Sequence, residues 1–114
     1  MKKCILIDVV NETVTPVEIE NGIEPIYEQV KCSTFEVVNI DGENDIYVDE
    51  EGLLNLTPTS KFFTFEGGHQ PFSGNGLVMG FDDETGDSKD TTLTVEFIKS
   101  KVKFHTLDQV RRMV

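Results

Sequence analysis

The chain has 114 residues, with 10 Lys or Arg against 21 Asp or Glu and a formal charge of −11 at neutral pH. That length suits one domain over residues 1–114 with one hydrophobic core, and the apolar 38%, rich in Phe, Val, Ile and Leu, is clustered enough to argue against disorder. So acidic a surface opposes the phosphate neutralisation that drives nucleic-acid binding, and it excludes a direct reader of DNA or RNA.

In chain order, KCILIDV is an apolar, β-branched run, and TVTPVEIE resumes after a turn at Asn11-Glu12. The pair reads as a β-hairpin whose second strand is an edge, because Pro16 offers no N–H to a neighbour. Ile23, Ile26, Tyr27 and Val30 have helical spacing, with Pro25 tolerable in the first turn, so a short helix is predicted over 24–31. Alternation returns from Cys32 through Ile40, and DGEND then leads into IYVDEEG, a second hairpin. LLNLTP is a short apolar piece stopped by Pro58, while KFFTF fits a strand or a helical turn. GLVMGF is a strand candidate and DDETGDSKD a solvent-facing acidic turn. TLTVEFI alternates like a strand, but Val95, Ile98 and Val102 also form a helical stripe behind Thr92 or Thr94 as N-cap. The helix over 94–101 is the reading adopted. VKF extends again, and Thr106 caps a short helix, LDQVRRMV, with Arg111 and Arg112 at its C-terminal end.

Cys4 and Cys32 stand in strand-like contexts without metal-type spacing, and two free thiols suit a reducing compartment. In MKKCILIDVV, Asp8 interrupts the apolar run, far short of the ~7–15 residues of a secretory signal, and no stretch approaches membrane-spanning length. A cytoplasmic location, with no membrane contact, is expected.

The glycine-rich stretch FEGGHQPFSGNGLVMG, residues 65–80, is where a ligand would be sought. Its G-N-G-L-V-M-G has one residue too many for a dinucleotide fingerprint. It also precedes a β-rich run, whereas phosphate must meet a helix N-terminus. Gly74 and Gly76 flanking Asn75 are expected to turn tightly with φ > 0. Histidine is a common base or ligand near neutral pH, which makes His69 a candidate, but neither a Ser-His-Asp order nor a nucleophile elbow accompanies it and Ser73. His105 is read as structural. The acidic turns lack the glycine and flanking helices of a calcium loop, so no metal site is assigned. Phe62, Phe63, Phe65 and Phe72 are expected to pack the loop onto the core.

The segments ILIDVVNETVTPVEI, IYVDEEGLLNLTP and PFSGNGLVMGFDDETG resemble, over roughly residues 2–104, a small family of uncharacterised proteins of phages, plasmids and other mobile elements. The resemblance implies an α+β fold and a mobile-element context, and it implies no reaction.

The reading from sequence is therefore an α+β domain, a mostly antiparallel sheet built from two β-hairpins with two or three short helices. Its expected role is that of a non-enzymatic accessory protein, without catalytic residues or cofactors, whose acidic surface engages a basic host protein. The alternative is a binder of a small molecule such as a nucleotide signal, using the 65–76 loop with Lys61, His69, Gln70, Ser73 and Asn75 as ligand contacts. Self-association is left open.

Overall fold

The structure is a computed structural model describing residues 1–66 and 70–113. The first hairpin joins β1 (Lys2–Asp8) to β2 (Thr13–Ile19), with Cys4 opposite Val17 and Ile7 opposite Val14. Its turn is closed by Asp8, whose carboxylate accepts the backbone N–H groups of Val10 and Asn11 and the Asn11 amide. Partial burial works against that charge, but the hydrogen bonds from Asn11 and Val10 outweigh it and hold the Asp8 carboxyl below its usual value.

Helix α1 (Glu24–Val30) follows, with Pro25 in its first turn and Lys31 ending it in the left-handed conformation (φ 62°), where its N–H reaches the Tyr27 carbonyl. The second hairpin pairs β3 (Phe35–Asn39) with β4 (Asn44–Asp49). Its turn is closed in the same manner, by Asp41 accepting from the backbone N–H groups of Glu43 and Asn44. The two hairpins are separate in sequence and are joined in the sheet through β7 (Gly76–Phe81), which pairs with β1 on one side and β4 on the other. The short β8 (Ser88–Lys89) returns against the end of β7. The resulting order is β2-β1-β7-β4-β3, with β8 beside β7 and every pairing antiparallel.

The leucine-rich piece after β4 forms turns, with Leu53, Leu54 and Leu56 exposed. KFFTF resolves as β5 (Lys61–Phe65), the middle strand of a second sheet between β6 (Phe72–Ser73) and β9 (Val102–Thr106). Between β8 and β9 the chain forms a helix, not a strand: α2 (Val95–Lys101) starts after Thr94, whose hydroxyl accepts the Phe97 N–H at 3.1 Å. Helix α3 (Leu107–Met113) opens on a reciprocal capping box, Thr106 Oγ1 accepting from Gln109 N–H while Thr106 N–H donates to Gln109 Oε1. The fold is thus α+β, with three helices among the described residues and most of its strands in one antiparallel sheet.

Alternation sorts the core into two layers. Ile5, Ile7, Val14, Ile46, Val48 and Val78 point from the large sheet toward Phe63, Phe72 and Ile98 of the small sheet and α2. Cys4, Ile19, Leu77 and Met79 point the other way, toward Ile26 and Val30 of α1. Phe62, on the opposite face of β5 from Phe63, is fully buried as well, and α3 packs against β5 and β9. The phenylalanines beside the glycine stretch thus serve the core.

Two buried asparagines tie the layers together. Asn44 Nδ2 donates to Asp41 and Thr92 Oγ1, while its Oδ1 accepts from Thr91 Oγ1 and Thr92 N–H, so it fastens the segment before α2 to the second hairpin. Asn75 Oδ1 accepts from Val9 N–H and its Nδ2 donates to the Gln29 carbonyl, joining the first hairpin to α1. The expectation for the glycines on either side of Asn75 holds at Gly74 (φ +93°) but not at Gly76, whose φ is unexceptional. Gly76 is required by a close approach: a Cβ there would stand 2.7 Å from Phe63 Cζ. Gly76→Ala is therefore expected to lose about 1–3 kcal/mol in urea unfolding, the usual cost of overpacking a tight core. Combined with Phe63→Leu, it should lose less than the sum of the two single changes, because the clashing ring is gone.

Candidate functional site

Of the five residues expected to contact a ligand, four are described, and they are spread along the β5–β6 hairpin and the turn into β7. Gly74 N–H donates to the Lys61 carbonyl and Phe62 pairs with Ser73, so Lys61 and Ser73 are neighbours across the β5–β6 ladder. Lys61 borders a small cleft of about 180 Å³ with Glu12, His105 and Gln109. Asn75 lies beside them but is buried at 6% exposure, with both ends of its amide bonded within the fold. Gln70 is exposed toward the far end of the β5–β6 hairpin. His69 lies outside the described residues. His105 Nε2 meets Thr64 Oγ1 at 3.0 Å across β5 and β9, a half-buried structural contact.

A larger concavity lies on the α1 face of the main sheet. Because β3 and β4 alternate, Phe35 and Val37 share that face with Tyr47, which stands opposite Val37. Helix α1 spans only seven residues and covers Leu77 and Met79, leaving the β3–β4 end of the face partly open. The open part is a groove of about 560 Å³ walled by Ile23 and Ile26 on one side and Asp87 and Ser88 on another, with Phe35, Val37 and Tyr47 along the sheet. Phe35 is the hinge of an aromatic chain, its ring 5.2 Å from both Tyr27 and Tyr47. Ile23 and Val37 remain 56% and 47% exposed. The groove is of ligand-pocket size, apolar along its floor and polar at its rim.

An acidic tip adjoins the groove. The β3–β4 turn carries Asp41 and Glu43, with Asp45 at the start of β4, and the β7–β8 turn carries Asp82, Asp83, Glu84 and Asp87. The two turns are held side by side, since Asn44 pairs with Gly80 and Phe81 N–H donates to the Glu43 carbonyl at 2.9 Å. Asp41 and Asp82 spend their carboxylates on the N–H groups of their own turns, and Asp45 accepts from the Asn39 amide. Among the described residues one ion pair forms, Lys101 to Glu66 at 3.7 Å, and it involves none of the acids of this tip. The tip's charge is therefore offset by water and salt, and its field reaches outward. Among the described residues no three His, Cys, Asp or Glu side chains are grouped to hold a metal ion, and no helix is long and apolar enough to cross a membrane.

Residues 1–104 match the family described as Domain of unknown function (DUF3846). The chain belongs to this family. No curated protein and no solved structure matches it. The resemblance to an uncharacterised family read from the sequence holds in that the family has no assigned activity.

Sequence reasoning placed the site in the glycine stretch and passed over Ile23, Phe35, Val37 and Tyr47. Alternation in FEVV and IYVD does put Phe35, Val37 and Tyr47 on one face, but it cannot tell that α1 stops short of covering them.

Both cysteines are free, Cys4 buried under the α1 layer and Cys32 partly buried. Burial pushes the Cys4 thiol up to about 11, with nearby Lys2 pulling the other way, and burial and then Asp49 raise Cys32. A raised thiol favours the protonated folded state, so this contribution is complete below the unfolded value of 9 and is lost as pH climbs toward about 11. Unfolding free energy measured across that window should fall less steeply for Cys4→Ala than for the native chain. Thiol-specific labelling near pH 8 should modify Cys4 only as the protein unfolds.

Proposed function

We propose that this protein is a non-enzymatic accessory factor of a phage or other mobile element. It acts in the cytoplasm by binding a basic host protein through the acidic tip and the adjoining groove. The observation that carries this reading is the placement of the acids. The fold brings Glu43 on one hairpin beside Asp83, Glu84 and Asp87 on another turn, with no lysine or arginine paired to them among the described residues. Solubility alone would be served by dispersed charge, whereas a one-sign cluster beside exposed apolar side chains is complementary to a basic surface with apolar contacts. The aromatic floor adds a further match, because lysine and arginine side chains gain from lying over tyrosine and phenylalanine faces. A nucleic-acid-binding host protein has the required basic surface, and occupying it would keep DNA or RNA from that protein.

The rival reading, capture of a nucleotide signal at the 65–76 segment, places opposite demands on charge, since phosphate needs cations or backbone N–H donors. The two readings separate experimentally. A lysine homopeptide should bind the protein with an affinity that falls steeply between about 0.05 and 0.3 M salt, as expected when exposed charges are screened. The triple change Glu43→Lys, Asp83→Lys and Glu84→Lys should weaken that binding by about tenfold or more while leaving the melting temperature unchanged, all three being exposed. Binding unaffected by the reversal would sink the acidic-tip reading. Concentration-dependent thermal stabilisation by cyclic or linear nucleotides would favour the rival.

A further inference from the structure

We propose that the outer edge of β3 receives a basic, extended segment of the partner as an added strand. This rests on the function proposed above and names the mode of binding. β3 ends the path β2-β1-β7-β4-β3, and among the described residues no strand pairs with its outer side. The ladder bonds show which backbone groups are free: Glu50 N–H donates to the Thr34 carbonyl and Ile40 N–H to that of Asn44. Strand alternation then turns the N–H and C=O groups of Glu36 and Val38 toward β4, and those of Phe35, Val37 and Asn39 outward.

Natural sheets blunt their edges with proline, lysine or a covering element. The opposite edge, β2, carries Pro16. β3, FEVVN, has neither proline nor lysine, and its Val37 stands exposed. A strand laid about 4.8 Å away would send alternate side chains to the two faces of the sheet. On one face they would lie beside Phe35 and Val37 at the mouth of the aromatic groove. On the other they would meet a smaller cleft of about 170 Å³ bordered by Val38, Ile40, Phe65 and Phe72. Main-chain hydrogen bonds with side-chain pockets on both faces is how strand addition combines affinity with specificity.

Charge selects the occupant. Asp45 and Asp49 flank the edge on the groove face and Glu36 on the other, with Asp41 beyond its end. A strand with lysine or arginine at alternate positions meets carboxylates on both faces. A second copy of this chain would bring the same acids against themselves, which is unfavourable across a ladder.

The test uses the full chain and a synthetic peptide of about eight residues alternating lysine with valine. It is compared with two versions N-methylated on one or the other set of alternate amides. Strand addition predicts that the backbone amides of Phe35, Val37 and Asn39 shift and exchange more slowly on binding, and that one methylated version binds at least about tenfold more weakly while the other binds normally. Val37→Pro, which removes only an outward N–H, should weaken the parent peptide to a similar degree. Equal binding by both methylated versions, or protection elsewhere, would overturn strand addition and leave the acidic-surface reading intact. Absence of any salt-dependent peptide binding would overturn both. A concentration-dependent dimer abolished by Val37→Pro would assign the edge to a second copy and overturn the proposal.

Discussion

The fold depends on β7 being dry on both faces. Gly76 through Gly80 are buried without exception, Leu77 and Met79 toward α1 and Val78 toward the small sheet. A central antiparallel strand with apolar side chains on both sides cannot face water on either, so a layer must cover each face. The large sheet is accordingly held between α1 and a second layer of β5, β6, β9 and α2. The two hairpins are joined in the sheet through this strand, against which each finds its register.

Layers stacked through apolar contact would slide without polar pins, and the two buried asparagines supply them. Asn44 uses both ends of its amide to bind the hairpin turn to Thr91 and Thr92, which positions Thr94 to cap α2. Asn75 does the same between Val9 and Gln29, fixing α1 against the first hairpin. Among the described residues no buried side-chain N or O lacks a partner. Buried amides left unpaired would each cost about 1–3 kcal/mol, so their complete satisfaction is a condition of the arrangement. The asparagine that looked like a ligand contact from sequence is thereby a structural joint.

The surface divides in a way the core does not require. α1 is too short to roof the face it lies on, and the uncovered part is aromatic. The turns that close β3–β4 and β7–β8 both use aspartate to hold their own N–H groups, and the same turns concentrate acid at one end of the molecule. Turn chemistry and surface field thus come from the same residues. A groove, an open strand edge and a negative tip share one corner of the protein, and the binding reading rests on that coincidence.

Local pattern was enough for much of this. Apolar β-branched runs marked β1 and β7, alternation marked β3, turn signals placed β2 and β4 as hairpin partners, Pro16 marked an edge, helical spacing marked α1, and Thr94 and Thr106 marked the starts of α2 and α3, because each signal acts within a few residues. Alternation in TLTVEFI was overridden by the stripe that buries Ile98 against the large sheet. What local pattern could not contain was pairing at a distance. KFFTF is a strand because residues some forty positions later, VKFHT, lie beside it, and Gly76 is glycine because Phe63 presses on it. The sequence by itself determined the elements, the turns and the acidic balance. Only the tertiary structure decided which faces were left uncovered, since exposure depends on where a neighbouring layer ends.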